Sequence, residues 1–372
     1  MSRIRTAIVG TGNIARFHAE SLQALHDEVE VIAAVDIDSA RLEEFCSAHQ
    51  IGHRYADVEQ MLASQRPDLV HVCTPPGLHR AQVLLCLQAG ASVVVEKPPT
   101  LTLQQLDELA AAQGPAGPWV ATVFQHQFGS GAQRLQSMVA DGVLGRPLLA
   151  VCNTTWLRTQ GYFDAPWRGR WDTEGGGPTM GHGIHQMDLL GAILGDWEEV
   201  SAVARQQARR METEDVSLAH VIFVNGAVAS VINSVVSPRE ESYLRFDFER
   251  ATVELTHLYG YGDDDWRITS APGFEEQISA VWNAGSHGVG SSHGAQFQAV
   301  LQSLRAGTAP PVTTTDARRT MQLVAGIYAS AFQRRWIRPT DLGPDSPFYS
   351  RMDGDGARWI PWAPRRTTEE MT

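Results

Sequence analysis

A glutamate and a lysine stand directly behind three valines, in Val93-Val94-Val95-Glu96-Lys97-Pro98-Pro99. The prolines fix the backbone of this turn and remove two amide donors. At the C-terminal end of a buried strand, a lysine can hold a substrate oxygen, and burial lowers its pKa toward catalytic use. A second set lies in Gly181-His182-Gly183-Ile184-His185-Gln186-Met187-Asp188. On one continuous helix, residues three apart share a side in part, which predicts His182, His185 and Asp188 together. An imidazole titrates near neutral pH and suits a general base. A buried lysine and imidazoles of this kind could together hold a substrate oxygen and take up a proton. A metal on His182 and His185 lacks a carboxylate at the expected spacing, so no metal is expected.

A nucleotide-binding pattern stands near the start of the chain. Gly10-Thr11-Gly12-Asn13-Ile14-Ala15 follows an apolar run and opens a helical pattern. In that setting Gly10 permits the tight turn, Gly12 lets the backbone approach a pyrophosphate, and Ala15 allows close helix–strand packing. The phosphates would rest on the helix N-terminus at Asn13 and Ile14. Asp36 closes the second apolar run, placed to bind the ribose hydroxyls of NAD and repel the extra phosphate of NADP. Arg41 is the nearby cation that such a phosphate would use. Thr74-Pro75-Pro76-Gly77-Leu78-His79 ends a third run and should border the nicotinamide half. The expected cofactor contacts are therefore Gly10, Gly12, Asn13, Ile14, Asp36, Thr74, Pro75, His79, Glu96 and Lys97, with NAD favoured over NADP. For His79, a helix-start residue is the reading favoured over a catalytic role.

These motifs, with Gly175-Gly176-Gly177 ahead of the histidine segment, resemble the Gfo/Idh/MocA family of NAD(P)-dependent oxidoreductases. The resemblance spans about residues 1–335 and implies a Rossmann domain, then an α+β domain whose open sheet often mediates oligomerisation. It implies oxidation of a sugar or polyol hydroxyl, or the reverse. Lys97 matches the family lysine and His185 the family histidine, which implies that Lys97 orients the hydroxyl and His185 takes its proton as hydride leaves, and His182 is expected to assist. Many members carry an aspartate four residues before that histidine; here that position is Gly181, followed by His182. Members often carry arginine or asparagine where this chain has Gln125-His126-Gln127-Phe128. The expected substrate contacts are Lys97, Gln125, Trp171, His182 and His185. Trp171 belongs to a loop with Trp156, Arg158, Trp167, Arg168 and Arg170, suited either to a sugar and its anionic groups or to interface packing. Trp282, His287 and His293 border a Gly/Ser-rich loop that could close over substrate. Two other functions fit the same motifs: an NAD-dependent glycoside hydrolase working by transient oxidation, and a non-catalytic NAD-binding regulator.

The elements that must carry these groups alternate at first. Strand patterns at 4–9, 30–36, 69–74, 92–96 and 119–124 are nearly unbroken apolar runs with helical stretches between them. That rhythm marks a parallel sheet covered on both faces. Beyond residue 125 a helix at 130–141, a strand at 147–157, a long loop and one helix over about 181–194 lead to clustered strands near 198–269, with a hairpin signal at Asn225-Gly226. Helices near 294–306 and 316–334 follow. The fold class expected is α/β, with a NAD-binding Rossmann domain at 1–124, a substrate-binding and oligomerisation α+β domain with an open, mostly antiparallel sheet at 125–336, and a tail at 337–372.

Composition bounds the rest. The 372 residues are 43% apolar and 19% charged, with a net charge of −12. That is too apolar for disorder and too acidic for a nucleic-acid or anionic-membrane surface. No apolar stretch is long enough to span a bilayer. The N-terminus shows no secretory pattern and the four scattered cysteines read as reduced core thiols, so a cytoplasmic protein is expected. A homodimer or homotetramer through the second sheet and a small sugar or polyol are the partners expected.

Overall fold

The computed structural model describes residues 2–356; residues 357–372 of the expected tail lie outside the described residues. Six strands form the first sheet: β1 (Ile4–Val9), β2 (Val29–Val35), β3 (His53–Tyr55), β4 (Leu69–Val72), β5 (Ser92–Val95) and β6 (Val120–Thr122). They run parallel in the order β3-β2-β1-β4-β5-β6. The order reverses beside β1, which opens a crevice at the strand C-termini. Helices α1 (Asn13–Ala24), α2 (Ser39–His49), α3 (Val58–Gln65), α4 (Pro76–Gln88) and α5 (Leu103–Ala111) make the crossovers. Asp38, Asp57 and Thr102 cap α2, α3 and α5 by accepting from first-turn amides. Both sheet faces are dry, which is why β4 and β5 are buried at every position.

The second sheet has seven strands: β7 (Pro147–Leu157), β8 (Trp197–Arg205), β9 (Val216–Phe223), β10 (Val228–Ser234), β11 (Val236–Phe248), β12 (Ala251–His257) and β13 (Trp266–Ser270). Their order is β13-β12-β11-β7-β10-β9-β8, with β7 and β10 parallel and the other pairs antiparallel. Asn225-Gly226 makes the β9–β10 hairpin, Gly226 at φ 88°. One sheet face packs on helices α6 (Ser130–Ala140), α7 (Pro178–Gly181), α8 (Ile184–Leu194), α9 (Glu275–Ala284), α10 (His293–Ala306), α11 (Thr314–Gln333) and α12 (Pro347–Ser350), with α10 as the exception described below. Leu149, Val203, Leu218 and Val228 remain exposed on the sheet.

Three expectations change. The single helix expected over 181–194 is two pieces, α7 and α8, broken at His182-Gly183. A Cβ at Gly183 would lie 1.8 Å from Asn233 Oδ1, so β10 presses on the chain where the helix breaks. Helix α9 was not foreseen, because its run of residues gives way to the Gly/Ser-rich loop. Helix α10, expected in the second domain, packs instead against the first sheet. Phe297, Val300 and Leu301 join the core of Ile8, Ala15 and Leu22. Gln296 is fully buried and continues the β6 edge, accepting from the Phe124 amide at 3.1 Å and donating to Thr122 O at 2.7 Å.

Candidate active site

Beside β1 the chain turns at Gly10, whose φ is +86°. A Cβ there would sit 2.9 Å from Thr74 Cγ2 and 3.0 Å from the Cys73 carbonyl, so both backbone shape and space call for glycine. Gly12 caps α1 without any side-chain acceptor and has open space beside it. The Ala15 amide bonds Gly12 O at 3.1 Å, which leaves the Asn13 and Ile14 amides at the start of α1 to meet an anion. Thr11 ties this loop to β2: its amide and hydroxyl each donate to Asp36 Oδ2 at 2.8 Å. Asp36 Oδ1 accepts from the Asp38 amide at 2.9 Å and from Arg41 at 2.6 Å. Burial alone would push this carboxyl up; Arg41 and the amides of Asp38 and Thr11 outweigh it and hold Asp36 at about 2. A cradle with free amides, no Cβ at its mouth and a fixed carboxylate fits an NAD molecule.

The next cofactor-side candidates are more occupied. Thr74 Oγ1 donates to Gln82 Oε1 at 2.6 Å, and Pro75 caps α4. His79 is fully buried, with Nδ1 2.9 Å from Pro98 O and Nε2 2.7 Å from Thr74 O. Its ring clamps the two crevice loops together. The Glu96 carboxylate is met by His18 Nε2 at 2.9 Å, by His293 Nε2 at 3.4 Å and by the Lys97 amide at 3.1 Å. His71 Nδ1 lies 2.9 Å from His18 Nδ1. One tautomer pattern satisfies the row, with His71 donating to His18 and His18 to Glu96. The carboxylate oxygens of Glu96 are therefore engaged by α1, α10 and the chain itself.

Lys97 is the only lysine in the chain; the other 29 of its 30 basic residues are arginines. That count is a signal the motif reading did not use. Its Nζ donates to Gly181 O at 2.9 Å, joining the β5 turn to the second domain. Burial lowers its pKa, and Glu96 opposes that shift.

His182 and His185 are both buried, and each leaves Nδ1 without a partner. Burial first, then the nearby Lys97 charge, drives both pKa values well down, so both rings are neutral. The His182 ring meets Trp156 edge-on at 5.2 Å, and its Nε2 lies 3.4 Å from the Tyr162 hydroxyl. The His185 ring stacks on His126 at 4.9 Å. His126 is also neutral, lowered to about 3 by burial and by His257. Gln125 Oε1 is buried beside it, unpartnered. Unpaired polar atoms at this density mark a surface built to meet something else.

The break at Gly183 takes His182 off the helix that carries His185 and Asp188, and the Asp188 carboxylate is engaged elsewhere. Its Oδ2 accepts from Gln127 at 2.6 Å and its Oδ1 from Thr320 at 3.1 Å. Burial raises this carboxyl to about 7.

The 156–172 loop divides. Arg158 lies over the rings of Trp156, Tyr162 and Tyr259, and Arg168 over Tyr162 and Trp167. Trp171, expected at the substrate, has its ring against Tyr328 and Phe332 and its indole N–H on Glu212 O. Trp282 is buried under Arg134 and beside Trp266, and His287 lies on Arg134 and Asp263. Neither residue belongs to a cover over Lys97; His293 instead reaches Glu96. Tyr162 and Tyr259 reach the site from segments with no motif of their own, and Glu174 stands just ahead of the Gly175-Gly176-Gly177 motif, whose reading did not include it.

Comparison with known proteins bears on the family and the fold. Residues 4–120 match the oxidoreductase family with an NAD-binding Rossmann fold, and residues 132–254 match the GFO/IDH/MocA C-terminal domain. The chain is 26% identical to D-glucoside 3-dehydrogenase of Escherichia coli, over 89% of this chain and 96% of that protein. It is 27% identical to myo-inositol 2-dehydrogenase of Thermotoga maritima, over 62% of this chain and 68% of that one. Among solved structures, the WlbA dehydrogenase from Bordetella pertussis in complex with NADH and UDP-GlcNAcA superposes with a TM-score of 0.81. It shares 26% identity, covering 91% of this chain and 99% of that chain.

Proposed function

Since the chain belongs to the Gfo/Idh/MocA family of NAD-binding oxidoreductases, we propose that it moves a hydride between NAD and a secondary hydroxyl, or the matching ketone, of a sugar, polyol or derivative. The observation that carries this reading is the junction of its single lysine with buried, neutral imidazoles. Lys97 Nζ is fixed at Gly181 O, and its charge helps keep His182 and His185 unprotonated. NAD supplies the hydride acceptor. Lys97 holds the substrate oxygen, and His185 accepts the hydroxyl proton as the carbonyl forms. His182, positioned by Tyr162 and Trp156, borders the substrate. Gln125 offers a buried acceptor to a second hydroxyl. The aromatic faces at Trp156, Tyr162 and Tyr259 suit a sugar ring. Relatives named for glucosides and myo-inositol, and a structural neighbour holding UDP-GlcNAcA, support the substrate class.

The test is a panel of sugars, polyols and nucleotide sugars with NAD and NADP, followed by NADH absorbance, on the parent, Lys97→Met and His185→Ala. Each variant is expected to lose about 10²- to 10⁴-fold in turnover. Full turnover in both would overturn the assignment. Glycoside cleavage without net NADH would point to the hydrolase reading, and NAD binding without turnover on any substrate to a regulator. The exposed apolar face of the second sheet is proposed to pair with another copy, as dimer or tetramer.

A further inference from the structure

Glu174 is a buried carboxylate that the reaction scheme above does not use. It lies in the loop ahead of Gly175-Gly176-Gly177. Two donors fix it: Arg168 Nη1 reaches Oε1 at 3.0 Å, and the Gly169 amide reaches Oε2 at 2.6 Å. Oε1 keeps capacity for another partner. Across from it is Gly181, the residue whose carbonyl holds Lys97. A Cβ built on Gly181 would lie 3.5 Å from Glu174 Oε1, with no other atom within 4 Å outside its neighbouring residues and its own helix backbone. A side chain at 181 and the carboxylate of Glu174 therefore compete for the same small volume beside Lys97. Lys97 and Glu174 each feel the other's charge.

We propose that Glu174 is a positioning residue for the reaction: its carboxylate supplies, from the preceding loop, the negative charge beside Lys97 that a side chain at position 181 would otherwise carry. Arg168 holds that carboxylate in place, and Tyr162, with the Arg168 guanidinium 3.9 Å from its ring centroid, links it to His182. Lys97 then stays a cation able to hold a developing alkoxide, although burial and the guanidinium groups of Arg158 and Arg168 disfavour its charge. Glu96 is the other carboxylate acting on it, and the neutral rings of His126, His182 and His185 complete the surroundings.

A chain with one lysine allows a direct test. Biosynthetic incorporation of [¹³Cε]lysine gives one lysine resonance, and its pH titration reports the Lys97 ammonium without substrate or NAD. The proposal rests on reading Lys97 as the substrate-holding cation, yet this measurement can fail while the turnover panel succeeds, and the reverse. In the full chain, Glu174→Gln is expected to lower the Lys97 midpoint by about one pH unit. Adding Gly181→Asp to Glu174→Gln is expected to restore it, because the new carboxylate reaches the same place. A midpoint unchanged by Glu174→Gln, in a protein whose far-UV spectrum matches the parent, overturns the proposal. So does a lowered midpoint that Gly181→Asp does not raise. Should Glu174→Gln fail to fold, Gly181→Asp alone is read: a raised midpoint supports the proposal and an unmoved one overturns it.

Discussion

Replacing Asp188 with asparagine is expected to stabilise the protein increasingly as pH rises. The carboxyl is 3% exposed and its pKa stands at about 7, against 3.8 for the free group. A group raised on folding contributes its full stability below the unfolded pKa and loses it as pH climbs through the folded one. The shift of about three units corresponds to about 4 kcal/mol, of which about 3 kcal/mol falls between pH 5 and pH 8. Asparagine keeps an oxygen for the Thr320 hydroxyl, and Gln127 can turn its amide to accept from the new NH₂. The hydrogen bonds survive while the titration disappears. The assay is urea unfolding of parent and Asp188→Asn near pH 5 and near pH 8. Buried histidines such as His126 and His257 destabilise the fold at acid pH in both proteins and cancel in the difference. A stability gap that is the same at both pH values would refute the reasoning.

Three other outcomes follow from the geometry. Asp36→Ala removes the carboxylate at the ribose end and frees Arg41, so kcat/KM for NADP relative to NAD should rise at least about tenfold; an unchanged ratio would contradict the assigned role. Gly183→Ala drives a methyl into Asn233 and should cost about 1–3 kcal/mol in a urea titration, with weaker turnover because His182 and His185 flank the strain. Leu218→Asp, on the exposed face of β9, should shift the light-scattering mass downward if that face pairs copies; a parent that is already monomeric would end that proposal.

The sheet of the first domain was legible because its strands are buried on both faces. Runs such as Leu69–Val72 and Ser92–Val95 need no partner information to be recognised. The Gly10–Ala15 turn was legible for a related reason: each residue type answers a local steric demand. Lys97 and His185 were found through short motifs at strand and helix ends. What failed was any inference that depended on distant contacts. Asn233 packs against Gly183 where the helix breaks, and no local pattern announces a side chain arriving from β10. His182 parted from His185 and Asp188 at that break. Trp171 looked like a sugar platform, but composition does not tell which face of an indole meets Tyr328. Glu174 stood beside the Gly175–Gly177 motif unread and became visible only through the space at Gly181.

The return of α10 to the first sheet sets an order of events during synthesis. The core around Ile8 and Leu22 is closed by Phe297, Val300 and Leu301, and the Gln296 side chain bonds the backbone at Thr122 and Phe124. A nascent chain stopped after β6 would therefore hold a sheet with an uncovered apolar flank. The nucleotide cradle cannot mature as an independent N-terminal unit while the ribosome still holds the second sheet. A fragment ending at residue 124 should accordingly aggregate or bind chaperones. A split protein should regain NAD binding only when its second piece carries α10.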